Sequence, residues 1–298
     1  MRRMELNQAT LDTPARDAAS IVMLRDGPAG LQVLLVRRHA NATDLGGACV
    51  FPGGKVDAGD SAPEALARLD VAADGLPARL GEHALAPHEA AAFFVAAARE
   101  AFEEVGLLYT HHGGPAATGL DAAARASLLD GTQAFAALLA RQGLTLDTAA
   151  LVPWSRWITP RQPAVMTRRF DTRFFLAAAP AGQTPVGDDH EVTELLWLTP
   201  REALARYRDH LIDLAPPQII SLAHLARYAS AAQALQDARQ RPPPRIAPEP
   251  FLHHGARALS YPGDPCHSET GRALPTPTRL VFQNRRFLPE EGFDAFFA

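Results

Sequence analysis

Cysteine is nearly absent from this sequence. Only Cys49 and Cys266 occur among 298 residues. That count offers no disulfide framework and no thiolate cage for a metal, and it fits a reducing, cytoplasmic setting. Long apolar runs are missing as well: no stretch approaches the roughly 18 uncharged apolar residues of a membrane-spanning helix. MRRMELNQAT begins with positive charge but has no apolar run behind it, so no signal peptide is expected. The final DAFFA is not a peroxisomal SKL address. Basic residues are not in excess, and a formal net charge of −4 gives no global field for gripping nucleic acid. No internal repeat is visible. What is present, 47% hydrophobic and 21% charged residues, suffices for a sizeable globular core. The length allows one large domain, or a domain with an appendage.

Residues 19–24 (ASIVML) and 31–37 (LQVLLVR) are apolar runs separated by the turn-forming DGPAG, which predicts a hairpin. A short apolar piece, 48–51, ends at Pro52-Gly53-Gly54. Residues 61–87 are rich in Ala, Pro and Gly, with only short helical patches. From about His88 to Leu107 the helical period is strong: Ala90, Phe94, Ala97, Ala101 and Val105 share a face, and Gly106 supplies a stop. Helices are expected at 122–129 and 133–142, strands at 153–159, 169–178 and 193–198, and a helix with Pro in its first turn at 200–209. One longer amphipathic helix is expected from 217 to 238. RPPPRIAPEP (241–250) reads as a stiff linker or surface strap, and 278–290 as a small hairpin. This order predicts an α/β fold, a mixed sheet with helices on both faces.

One helical stretch asks for an explanation. REAFEEVGLL (99–108) places Glu100, Glu103 and Glu104 at i, i+3 and i+4, on one face, where like charges repel. Arg99 alone cannot neutralise three carboxylates. A hard divalent ion with oxygen ligands would turn the repulsion into binding; taken alone, however, the stretch reads as simply as a solvated face. The glycine-rich loop FPGGKVDAGD (51–60), directly after a strand, changes that balance, since glycine lets backbone approach a ligand or ion closely.

Together the two segments resemble the Nudix box, G-x5-E-x7-R-E-U-x-E-E-x-G-U with U apolar. Gly54 begins it, Asp60 stands where the box has Glu, and Arg99 to Leu107 supply the second half in full. An insertion of 31 residues separates the halves; it falls in a connection that can lengthen at slowly growing entropic cost. The sequence is similar in this respect to the branch of the Nudix hydrolase family with an enlarged box, the branch of the animal peroxisomal coenzyme A diphosphatase. The likeness continues through LVPWSRWITP, RRFDTRFFLAA and EVTELLWLTP to LAPPQ, over roughly residues 18 to 225.

The resemblance implies a Nudix-type α/β/α sandwich over residues 1–240, with a helical insertion at about 61–88, then a Pro-rich strap and small extension at 241–298. It implies Mg²⁺ or Mn²⁺ held by Glu100, Glu103, Glu104 and the Gly54 carbonyl, and Arg99 pairing with Asp60 or a glutamate. The general base would be a box glutamate or Glu191. Arg37, Arg38, Phe51, Arg168 and Trp157 are the residues expected to meet a small-molecule nucleotide. Coenzyme A-specific members show a pattern ending G-x3-FPGG, which residues 47–54 satisfy, although Thr43 stands where that pattern has arginine. Expected chemistry is hydrolysis of a diphosphate linkage, in coenzyme A or an acyl-CoA. The alternatives are ADP-ribose, dinucleotides or NDP-sugars as substrate, or a non-catalytic nucleotide sensor. Nudix proteins often dimerise, so a homodimer is an expectation too. The insertion is expected to cap the substrate. The histidine pairs 111–112 and 253–254 have no suitably spaced carboxylate in sequence and are not expected to bind metal.

Overall fold

A computed structural model describes residues 10–111, 122–163, 166–188 and 190–298. In chain order the first half comprises β1 (Arg16–Gly27), β2 (Gly30–Arg38), β3 (Cys49–Val50), β4 (Gly53–Lys55), α1 (Pro63–Leu66), α2 (Leu76–Leu80), α3 (Pro87–Val105), β5 (Thr110–His111), α4 (Ala122–Leu129), α5 (Phe135–Arg141) and β6 (Thr145–Leu146). Then follow β7 (Val152–Ile158), β8 (Phe170–Ala178), β9 (Val192–Leu198), α6 (Pro200–Arg208), α7 (Pro216–Leu225), α8 (Ala231–Gln240), β10 (Arg245–Ile246), β11 (Glu249–His253), β12 (Ala256–Ser260), β13 (Arg279–Gln283) and β14 (Arg286–Leu288).

The main sheet is mixed. Its order is β10-β7-β8-β1-β2-β3, with β4 also paired to β1 and β9 to β2. β1 runs parallel to β8 and antiparallel to β2 and β4. Alternation along the strands divides two cores: Ile21, Met23, Leu34 and Val36 face α3, while Val22, Leu24, Val33 and Leu35 face α6 to α8. Both sides of the sheet are thus covered, as an α/β sandwich requires. No described helix is long and apolar enough to cross a membrane.

The expected helix at 88–107 is present and stops at Gly106, whose φ of 68° is the left-handed cap geometry. The single helix expected over 217–238 is a correction: α7 ends at Leu225 and α8 restarts after Ser230, whose side chain caps it by accepting from Gln233 N–H at 3.2 Å. The break lets α7 lie beside α6 while α8 crosses to β7 and β8. The hairpin expected at 278–290 is present as β13 and β14, and β11 and β12 extend it to a four-stranded antiparallel sheet. Its strap joins the main sheet as β10, parallel to β7.

The inserted segment is helical, but the cap expectation is corrected. None of residues 61–88 lines the cleft described below. Ala65, Leu69, Leu76 and Leu80 are buried against α3. Glu82 accepts from Arg173 at 2.7 and 2.9 Å and from Arg156 at 2.7 Å, pinning the insertion to β7 and β8.

Candidate active site

The last two turns of α3 lie over the glycine-rich loop. Arg99 uses all five guanidinium N–H groups there. Nε and Nη2 donate to the two oxygens of Asp60 at 2.9 Å, Nη2 also to the Lys55 carbonyl at 2.9 Å, and Nη1 to Glu100 and Glu103 at 2.9 Å each. Asp60 is 2% exposed and takes the Asp57 N–H on its second oxygen. The shorter Asp60 therefore serves as the bidentate partner of Arg99. Glu104, 4% exposed, accepts from Gly53 N–H at 3.1 Å.

At Gly53 and Gly54 a side chain would collide with what packs against the loop. A Cβ on Gly54 would stand 2.3 Å from Glu100 Oε1, and one on Gly53 2.4 Å from the Ala19 carbonyl oxygen. Backbone and carboxylate thus share one cradle.

Of the three glutamates on this face Arg99 reaches only Glu100 and Glu103, and burial makes the ionised forms of all three costly. Desolvation, reinforced by Glu103 and opposed by Arg99, pushes Glu100 up to about 7. Desolvation likewise raises Glu103, and it raises Glu104 well above the usual carboxylate range, with Glu100 adding to it. Arg99 stays firmly charged: burial pulls it down, but Asp60 and the glutamates outweigh that pull. A hard divalent cation fits such a donor set. The sign of the pH dependence follows. A carboxyl whose folded value is raised contributes stability fully present below its unfolded value near 4.5 and lost as pH rises through about 7. Protons and a divalent ion compete for the same oxygens. The Tm gain on adding Mn²⁺ is therefore expected to be small near pH ~5.5 and large near pH ~8. Calorimetry with and without Mn²⁺ checks this, and a gain larger at the acid end would contradict it.

Glu100 opens onto a cleft of about 670 Å³. Arg38, Phe51, Gly54, Trp157, Arg168 and Glu191, all singled out in the sequence, line it. Arg37 does not; it is tied to Glu194 at 2.7 Å and reaches the Gly47 carbonyl at 3.4 Å. Arg169 is likewise engaged, with the Thr159 and Thr13 carbonyls. Trp154 stacks on His224, centroids 5.4 Å apart, away from the cleft. Arg38 has a buried Nε with no hydrogen-bond partner and an Nη2 3.7 Å from Glu191. Asp188 holds the loop before β9 by accepting from the N–H groups of His190, Glu191 and Val192 at 2.8–3.0 Å. Asp189 lies outside the described residues.

Other cleft residues escaped the sequence reading, among them Met166, Gln218, Pro248 and Leu259. LAPPQ was the one available signal, and it contains Gln218. The histidines also need correction, because carboxylates from distant segments do reach them. His111 Nε2 lies 3.1 Å from Asp70 and 3.2 Å from Asp147, and His253 Nε2 2.7 Å from Glu290. Arg279 already neutralises Glu290 at 2.9 Å. His112 lies outside the described residues.

Residues 15–225 match the family model described as the NUDT19 Nudix domain, which is more than two thirds of the chain. The chain belongs to the Nudix hydrolase family. It is an enzyme of that family, a diphosphatase, and the family generally uses divalent metals and small-molecule nucleotides. The chain is 30% identical over 265 residues to the acyl-coenzyme A diphosphatase NUDT19 of Gallus gallus, covering 72% of this chain and 69% of that protein. It is 32% identical over 235 residues to the human protein of the same name, covering 67% and 62%. Among solved structures, a NUDIX hydrolase from Alicyclobacillus acidocaldarius superposes with a TM-score of 0.62 at 29% identity, over 78% of this chain and 98% of that one. These likenesses agree with the sandwich and with the enlarged-box branch read from the sequence.

Proposed function

We propose that this enzyme hydrolyses the diphosphate bridge of coenzyme A or an acyl-CoA with Mg²⁺ or Mn²⁺, releasing 3′,5′-ADP and 4′-phosphopantetheine or its acylated form. The observation that carries this reading is Glu100, the member of the carboxylate face that opens onto a cleft with more apolar than polar wall, in a chain similar to acyl-coenzyme A diphosphatases. A bridge of two phosphates suits the charged end, and a long uncharged arm suits the rest.

Glu100, Glu103, Glu104 and the Gly54 carbonyl would hold the ion. When bound, a divalent ion neutralises the diphosphate and acidifies a water molecule. Arg99 fixes two of the three carboxylates before substrate arrives, so little reorganisation is left for the reaction. Arg38, with its unpartnered buried Nε, is placed to donate to a phosphate oxygen. Arg168 offers a second cation. Glu191, or a glutamate of α3, removes the proton of the attacking water as phosphorus is attacked. Glu191 stands within reach of Arg38, so substrate that pairs with Arg38 would release it for that role.

The test is product analysis on a panel of coenzyme A, acetyl-CoA, a long-chain acyl-CoA, NADH, ADP-ribose and UDP-glucose with Mg²⁺ or Mn²⁺. Appearance of 3′,5′-ADP from the CoA compounds supports the reading. Cleavage of ADP-ribose, NADH or UDP-glucose alone replaces the substrate and keeps the chemistry.

A further inference from the structure

Gln218 is a buried polar residue that the chemistry above does not use. It is the third residue of α7, is 7% exposed, lines the cleft, and has a buried Oε1 with no hydrogen-bond partner. A carboxamide left so is unfavourable unless a ligand completes it. The two residues before it are Pro216 and Pro217. Lacking N–H groups, they remove two of the first-turn donors of α7 that would otherwise attract a phosphate. This wall of the cleft, which enters beside Cys49, suits an uncharged, amide-bearing ligand.

The floor beyond it is aromatic and runs away from the carboxylates. Phe51, beside the glycine loop, meets Phe174 edge-on at 6.1 Å, and Phe174 meets Trp157 at 6.2 Å, all three lining the cleft; Tyr261 of the C-terminal segment backs Trp157 at 6.2 Å. Pro248 and Leu259 close the far wall. From β4, which carries Gly54, the sheet steps through β1, β8 and β7 to β10. Four strand spacings of about 4.8 Å make this roughly 19 Å. An extended phosphopantetheine has about thirteen bonds from phosphorus to sulfur, about 15 Å at the advance per bond of an extended chain.

We propose that this floor is the seat of the pantetheine arm, that Gln218 pairs with one of its two amides, and that Pro248 and Leu259 receive the thioester and first carbons of the acyl chain. The inference rests on the coenzyme A reading and names its specificity site. Turning the carboxamide about its last, softly restrained torsion presents acceptor and donors to an amide N–H and C=O. The C-terminal segment, outside the matched family region, then belongs to the substrate site through Pro248 and Leu259.

The test is Gln218→Met in the full-length protein with Mg²⁺. Methionine has nearly the same shape and no polar group to satisfy, so the variant is expected to melt higher than wild type. Its kcat/KM for hexanoyl-CoA should fall about tenfold, the worth of one good hydrogen bond. The inhibition constant of 4′-phosphopantetheine should rise about tenfold and that of 3′,5′-ADP stay unchanged. If the variant melts lower, Gln218→Glu supplies the same inhibition comparison. Equal changes for both inhibitors, or none for either, overturn the inference while leaving diphosphatase activity intact. A wild-type enzyme that cleaves no coenzyme A compound retires the underlying reading instead.

Discussion

Replacing Glu100 by glutamine is expected to lower kcat by about 10³-fold, with the fold intact. The side chain keeps its shape, and its remaining oxygen can still accept from Arg99 Nη1. What is lost is one negative charge at the point where α3, the Gly54 backbone and the cleft meet. Without metal the same change should stabilise the protein above pH ~7, because a buried carboxylate pushed up to about 7 is no longer forced to ionise. Opposite effects on turnover and on metal-free stability identify a functional charge held at a structural cost. Steady-state kinetics and thermal melts with and without Mn²⁺ measure both. Unchanged turnover would remove Glu100 from the site.

Arg99→Ala is expected to be the most destabilising single change, at about 3–5 kcal/mol. The loss comes from what it strands. Asp60, 2% exposed, would be left with only the Asp57 N–H as partner, and Glu100 and Glu103 would face each other without the shared guanidinium. The melting temperature should fall by roughly 10 °C. Arg99→Lys should recover only part of this, since a point charge cannot replace a planar fork with five directed bonds. The double change Arg99→Leu with Asp60→Leu should recover more stability than Arg99→Lys while remaining inactive, because it removes the stranded charge together with its partner. Recovery by lysine to wild-type stability would show that the geometry of the fork is unimportant.

These two residues illustrate how much could be read from the sequence. α3 was legible to its stop, because Ala90, Phe94, Ala97, Ala101 and Val105 keep one helical face and Gly106 ends it. The hairpin β1–β2 was legible for the matching reason, apolar runs flanking a Gly-Pro turn. The pairing of Arg99 was expected as Asp60 or a glutamate; the structure has it holding Asp60, Glu100 and Glu103 together, because a guanidinium has donors enough for all of them. The break between α7 and α8 was hidden, since ARYAS contains neither Gly nor Pro and helical periodicity resumes beyond it. Its only signal was Ser230 as a cap. The far wall of the cleft was hidden for a deeper reason: Gln218 comes from α7 and Pro248 and Leu259 from the C-terminal segment, far from the box in the chain, and only the tertiary fold brings them to the cleft that Trp157 also lines. The carboxylate partners of His111 and His253, 41 and 37 residues away, were invisible in the same way.

Hydrolysis in H₂¹⁸O with Mg²⁺ and an acyl-CoA, followed by mass spectrometry of the products, tests most directly that the carboxylate cleft attacks phosphorus. Water attack at the bridge places one ¹⁸O on a single monophosphate, either 3′,5′-ADP or acyl-4′-phosphopantetheine, and leaves the thioester intact. Label in a released carboxylic acid, with coenzyme A otherwise whole, would mean that the cleft works on the thioester and that the diphosphatase reading is wrong.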